Sequence, residues 1–214
     1  MTLPSFLHGK KAAIFDLDGT IVDNMRYHEK AFRLLAAKHR IALSDEDFRW
    51  MAGRKNKDIF AQYFGEKTVE EHEKLADEKE SIYRELFEPV IVEVPGLLDF
   101  LKLLHTQKIK LAIASAAPKE NRIFVFKHLP IYEYFNTVVG AENVTNGKPH
   151  PEVFLSAATN LHVDPKDCVV FEDAPNGISA AKAAGMYAVG ILTTHTKEEL
   201  HEADMVISSF QELL

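Results

Sequence analysis

The chain holds a single cysteine among its 214 residues, which excludes an internal disulfide framework. That residue, Cys168, sits in the apolar run Cys168-Val169-Val170-Phe171, the setting of a core side chain, and the expected compartment is the reducing cytoplasm. No apolar run reaches membrane-spanning length, and residues 1–10 lack a long apolar stretch with a small-residue cleavage site, so neither a bilayer span nor an export signal is expected. An excess of basic charge is also missing. With 25 Lys and Arg against 32 Asp and Glu, the formal net charge is −7, which argues against nucleic acid or an acidic membrane as partner. There is no internal repeat and no low-complexity tract. What remains is a chain with 46% hydrophobic residues, enough for one large domain or for a core with a small insertion.

From about residue 90 onward, short β-type runs alternate with amphipathic helical stretches, the pattern of a parallel sheet with helices on both faces. Leu97, Leu98, Leu101 and Leu104 have helical spacing, and Ile109 to Ala114 reads as a strand. Val153, Phe154, Ala157, Ala158 and Leu161 form the next helical face, before a strand from Val169 to Phe171. Ala174 to Ala184 is an alanine-rich helix stopped by Gly185, and strands follow at Tyr187 to Ile191 and Met205 to Ile207.

The segment Asn24 to Glu88 differs: it is dense in charge and helix formers and poor in β-branched runs. Ala31, Phe32, Leu34, Leu35 and Ala36 predict one amphipathic helix, Ile59, Phe60, Tyr63 and Phe64 another, and Leu75, Ile82 and Leu86 a longer one. The fold expected is α/β, a doubly wound parallel-sheet (Rossmann-like) core of residues 1–23 and 89–214, with a small all-helical cap domain of residues 24–88 inserted after the first strand. A lid above the sheet edge is the natural geometry for such an insertion.

Chemistry is expected beyond the carboxyl ends of the strands, where open α/β sheets bind ligands. There Asp16 and Asp18, in Asp16-Leu17-Asp18-Gly19-Thr20, follow the apolar run Ala12 to Phe15. Ser115 follows Leu111 to Ala114, Lys148 follows the shorter run Val138-Val139, and Glu172-Asp173 follow Cys168 to Phe171. Each has a plainer role: an Asp-Gly turn, a helix cap for Ser115 or for Glu172-Asp173, a solvated loop charge for Lys148. Those roles do not explain why all four sets share one end of the sheet. Carboxylates gathered there repel one another unless a positive ion sits among them, and Mg²⁺ is the hard, oxygen-seeking choice. Ser115 and Lys148 can then hold the remaining oxygens of a phosphate.

These four loops, in this order and at these spacings, resemble the haloacid dehalogenase superfamily of phosphotransferases along essentially the whole chain; the fourth runs Phe171-Glu172-Asp173-Ala174-Pro175-Asn176-Gly177-Ile178 and on to Gly185-Met186. The resemblance implies that Asp16 is the nucleophile forming an aspartyl phosphate, and that Asp18 is the acid/base that protonates the leaving oxygen and then activates water. It implies Mg²⁺ on Asp16, the Asp18 backbone carbonyl and Asp173, with Glu172 close by. Ser115, Ala116 and Lys148 would bind the transferring phosphoryl group. The second aspartate argues against true dehalogenases, because a departing halide needs no proton.

The helical insertion is similar to the small cap of the branch that holds β-phosphoglucomutases and sugar or polyol phosphate phosphatases. Tyr27-His28 resembles a pair found in the mutases, where the histidine couples sugar binding to lid closure. Thr20 and Asn24 depart from the valine and threonine usual there, Ser115-Ala116-Ala117-Pro118-Lys119 lacks a second serine, and Gly53-Arg54-Lys55-Asn56-Lys57 keeps positive charge without the mutase register. The expectation is therefore a Mg²⁺-dependent phosphohydrolase acting on a small sugar or polyol phosphate. A β-phosphoglucomutase and a non-catalytic phosphometabolite-binding protein are the alternatives. His28, Arg54 and Lys57 are the candidate substrate contacts of the cap, although a solvated face explains the basic cluster equally well and a helix-start role explains His28.

Overall fold

The computed structural model describes residues 2–51, 56–65 and 67–214, without the side chains at 49, 50 and 56–58. Its contacts divide the chain into two compact units, Met1–Asp23 with Val92–Leu214, and Asn24–Ile91. Among the described residues the strands are β1 (Ala12–Phe15), β2 (Lys110–Ala114), β3 (Thr137–Val139), β4 (Cys168–Glu172), β5 (Tyr187–Ile191) and β6 (Met205–Ile207). The helices are α1 (Met25–Lys38), α2 (Asp45–Met51), α3 (Asn56–Phe64), α4 (Val69–Phe87), α5 (Leu97–Thr106), α6 (Lys119–His128), α7 (Glu152–Leu161) and α8 (Pro175–Ala183).

In the first unit all six strands form one parallel sheet in the order β3-β2-β1-β4-β5-β6. The chain moves outward from β1 through β2 to β3, then returns to the other side of β1 to begin β4. This reversal opens a crevice at the carboxyl end of β1, the position at which doubly wound sheets bind ligands. Residue alternation gives the sheet two apolar faces. Ala12, Ile14, Cys168 and Val170 join one cluster with Val153, Phe154 and Ile178 of α7 and α8. On the other face Phe15 stacks on Phe171 at 4.8 Å, and Phe100 of α5 and Phe210 close around the pair. Cys168 is buried, and burial pushes its thiol up to about 11, so it serves as a core residue.

The local signals act as their chemistry dictates. Pro175 opens α8 where no N–H is needed, and Gly185, with φ +74°, lets the chain leave that helix in a left-handed turn. The helix is one residue shorter at each end than the stretch Ala174 to Ala184.

In the second unit α1 and α3 pack on α4. Thr68 caps α4 through a capping box, its hydroxyl accepting from the Glu71 N–H while the Glu71 carboxylate accepts from the Thr68 N–H. The apolar cluster joins Phe32, Leu35, Met51, Ile59, Phe60, Phe64 and Leu75. Two details of the expected faces are corrected. Leu34 is 47% exposed, because it lies about 200° around the helix from Phe32. On α4, Ile82 and Leu86 are only half-buried, and the inward line is Leu75, Lys79, Tyr83 and Phe87, spaced by four residues. A charged residue thus occupies a core position that an apolar-only reading passes over. Lys79 Nζ donates to Glu80 Oε1 at 2.9 Å and to His28 Nδ1 at 2.7 Å, and lies 4.7 Å from the Phe32 ring centroid. His28 stacks on Tyr83 at 3.7 Å, whose hydroxyl accepts from Asn24 Nδ2 at 2.6 Å.

Candidate active site

Asp16 is the first residue beyond β1, and its N–H donates to the Phe171 carbonyl at 3.0 Å, so the central strand and β4 aim it jointly. The chain then turns back through N–H groups of Ile21 and Val22 that both donate to the Leu17 carbonyl. Gly19 makes this turn possible, with φ +77° and with Asp173 Oδ2 only 2.0 Å from where a Cβ would stand. A larger residue at 19 would displace the carboxylate of Asp173. Thr20 is fully buried and its Oγ1 meets no hydrogen-bond partner among the described residues. Valine would fill that space equally well, so threonine here carries little information about the reaction.

Three charged groups converge beside Asp16. Lys148 Nζ donates to Asp16 Oδ1 at 2.5 Å and to Glu172 Oε1, and sits 5.0 Å from the centroid of the Phe154 ring. Asp16, Glu172 and Asp173 are buried, and each offers a carboxylate oxygen within 4.8 Å of the others. Burial, reinforced by the charges of Glu172 and Asp18, pushes the Asp16 carboxyl up to about 7 against the pull of Lys148. Asp173 is raised well above the ordinary aspartate range by burial and by the charges of Glu172 and Asp16. Burial alone would lower Lys148, yet the carboxylates of Asp16 and Glu172 outweigh it and hold the ammonium above the usual lysine value. Among the described residues, one cation among three buried carboxylates leaves negative charge unbalanced. The donor set is all hard oxygen, as Mg²⁺ requires.

The two acidic residues at the end of β4 are not equivalent. Glu172 gives one oxygen to Lys148 and the other to the Ala174 N–H at 2.8 Å, and a Cβ at Gly177 would stand 1.9 Å from its Oε1. It is held against the start of α8 and orients the lysine. Asp173 is the member that, with Asp16, suits a cation.

Ser115 lies beyond β2 on the strand neighbouring β1, with its N–H donating to the Val139 carbonyl at 3.0 Å. Its buried hydroxyl accepts from the Ala117 N–H at 3.0 Å, closing a tight turn rather than capping α6. Ala116 is exposed at the tip of that turn. Arg122, which sequence reasoning passed over, braces it by donating to the Ala117 carbonyl at 2.6 Å while pairing with Glu142. Thus Asp16, Lys148, Glu172 and Asp173 meet directly, Asp18 adds its charge to Asp16, and Ser115 and Ala116 share the same end of the sheet. His28 belongs to the polar cluster of the helical unit. Arg54 and Lys55 lie outside the described residues, as does the side chain of Lys57.

The loop after β5 was also missed. Thr193 Oγ1 donates to the Gly19 carbonyl and His195 Nδ1 to the Asp173 carbonyl at 2.9 Å. The rule that singled out polar residues after the other strands, applied past Ile191, points to the same three residues Thr193-Thr194-His195.

A sequence profile described as haloacid dehalogenase-like hydrolase matches residues 13–191. Validoxylamine A 7'-phosphate phosphatase of Streptomyces hygroscopicus subsp. limoneus is 31% identical over 203 residues, covering 95% of each chain. β-Phosphoglucomutase of Bacillus subtilis is 34% identical over 189 residues, or 85% of this chain and 83% of that one. A crystal structure of β-phosphoglucomutase from Clostridium difficile superposes with a TM-score of 0.84 at 34% identity, covering 96% of this chain and 93% of the other.

Proposed function

This chain belongs to the haloacid dehalogenase-like hydrolase family, and from that membership we propose that it is a Mg²⁺-dependent phosphohydrolase of a small sugar or polyol phosphate, working through an aspartyl phosphate on Asp16. The observation that carries this reading is the buried contact of Asp16 with Lys148, beside Asp173, at the strand reversal. Nothing in a passive binding site calls for a nucleophile and an acid/base two residues apart.

Asp16 and Asp173 would hold the Mg²⁺, which when bound supplies the positive charge that keeps Asp16 ionised and neutralises phosphoryl oxygens. The Asp16 carboxylate attacks phosphorus, forming the O–P bond of an acyl phosphate as the ester bond breaks. Asp18 gives its proton to the departing alkoxide, then takes one from the water that attacks the acyl phosphate. Lys148 remains a fixed cation beside the transferring group, aimed by Glu172. Ser115 and the turn through Ala116 would bind the remaining phosphoryl oxygens.

The helical unit would serve as a cap that excludes water and reads the substrate, with His28, Arg54 and Lys57 as its proposed contacts. A cytoplasmic setting is supported by the lone buried cysteine, and among the described residues no helix is long and apolar enough to cross a membrane. One observation favours a second reading, β-phosphoglucomutase: the Tyr27-His28 pair at the start of α1, in a chain similar to a named mutase. The test is phosphate release from a panel of sugar and polyol phosphates, with β-glucose 1-phosphate followed in parallel. Rapid release of inorganic phosphate supports the hydrolase, and conversion to glucose 6-phosphate without release replaces it with the mutase.

A further inference from the structure

Three consecutive residues after β5 each reach the acidic loops. Thr193 Oγ1 donates to the Gly19 carbonyl, the Thr194 hydroxyl lies beside the Asp173 carboxylate and favours its ionised form, and His195 Nδ1 donates to the Asp173 carbonyl at 2.9 Å. The packing agrees: a Cβ at Gly19 would stand 2.0 Å from Asp173 Oδ2 and 2.9 Å from Thr194 Oγ1, so the three groups share one point of contact. A fixed backbone and a neighbouring hydroxyl both restrict how far the Asp173 carboxylate can swing from Asp16. That restraint opposes the repulsion among Asp16, Glu172 and Asp173, which would otherwise drive the carboxylates apart.

We propose that Thr193-Thr194-His195 is a positioning strap, with Thr194 as its principal member, that holds Asp173 oriented for the divalent cation and so sets metal affinity. The inference rests on the reading of Asp16 and Asp173 as a cation site. None of the three residues touches the reacting atoms; they act through Asp173 and the Gly19 turn. Outer partners of this kind typically change metal affinity 10- to 100-fold. Thr194 is exposed on its other side, so an isosteric valine removes the hydroxyl without opening a cavity.

The test is Mg²⁺ binding to the full-length, substrate-free protein by calorimetry, with the Mg²⁺-dependent rise in Tm as a second readout. Thr194→Val should weaken binding by ~10- to 100-fold, while Thr194→Ser, which keeps the donor, should stay within about threefold of wild type. Thr194→Ala makes the same test should the valine disturb folding. In turnover the apparent KM for Mg²⁺ should rise and kcat at saturating Mg²⁺ should recover. Thr196→Val is the control, because Thr196 pairs with Glu199 on the same loop. Equal Mg²⁺ affinity in wild type and Thr194→Val overturns the strap, and so does an equal loss in Thr196→Val. Failure of wild type to bind Mg²⁺ overturns the cation site itself, a result told apart because all variants then behave alike.

Discussion

Both units bury charge, but they balance it differently. Among the described residues of the helical unit one lysine, Lys79, meets one carboxylate, Glu80, and His28, Tyr83 and Asn24 lie beside them. In the α/β unit one lysine, Lys148, stands among three buried carboxylates. A balanced cluster can be a finished part of a fold. An unbalanced one costs stability until something positive arrives, and that cost marks where a ligand is expected.

The largest effects should come from the unbalanced cluster. Asp16→Ala removes the proposed nucleophile and should abolish measurable turnover. Asp18→Asn keeps the nucleophile and should slow hydrolysis of a sugar phosphate by roughly 10²- to 10⁴-fold, with a much smaller effect on phosphorylation of Asp16 by acetyl phosphate, whose leaving group needs no proton. Rapid-quench trapping of the phosphorylated protein measures this; wild-type hydrolysis of the sugar ester by Asp18→Asn would remove the acid/base role.

Next comes the balanced cluster. Lys79→Met removes the ammonium that donates to the Glu80 carboxylate, which is 5% exposed, and should cost about 3–5 kcal/mol in the unfolding free energy of the helical unit. Adding Glu80→Leu should recover much of it, a non-additivity that denaturant titration of the single and double variants would reveal. If Lys79→Met leaves stability unchanged, the two clusters do not differ as argued.

The smallest effect has the opposite sign. Asp16 is raised in the fold to about 7 and Asp173 is also raised, so between the ordinary value of 3.8 and about 7 the metal-free native state holds on Asp16 a proton that the unfolded chain has released, and Asp173 acts in the same direction. Their contribution to metal-free stability therefore rises as pH falls through that window and is lost as pH rises through it. Consequently Mg²⁺ should raise Tm more at pH 8 than at pH 5.5. Asp173→Asn should raise the metal-free Tm at pH 8 by ~2–4 °C for each kcal/mol of repulsion relieved, and should remove the response to Mg²⁺. A fall in metal-free Tm on this substitution would contradict the unbalanced reading. Scanning calorimetry at the two pH values measures both.

The sheet was legible because alternation and turn residues mark each strand locally: Tyr187 to Ile191 and Met205 to Ile207 are found as read. The site was legible wherever a polar residue directly follows an apolar run, as with Asp16, Ser115 and Glu172-Asp173. The buried cluster of α4 was not, since Lys79 and Glu80 in a charged helix look like solvated residues until Tyr83, Phe32 and His28 enclose them. Arg122 was missed for a related reason. Beside Glu142 its partner is the Ala117 carbonyl, and a carbonyl leaves no mark in the residue types. Thr193 falls under the same rule as Asp16, applied to the loop after β5.

The strand order carries a consequence for how the molecule comes apart. β1 is hydrogen-bonded along both edges, to β2 and to β4, and both its faces are covered by apolar side chains. Its amides are therefore among the last to exchange with solvent, opening only when the sheet itself unfolds, whereas helices in a separate unit can open at lower free energy. The residue proposed to carry the phosphoryl group thus hangs from one of the segments expected to exchange most slowly. Partial melting of the helical unit would leave an Asp16 still aimed and still reactive toward small acyl phosphates, and the selectivity proposed for the cap would fail before chemistry does.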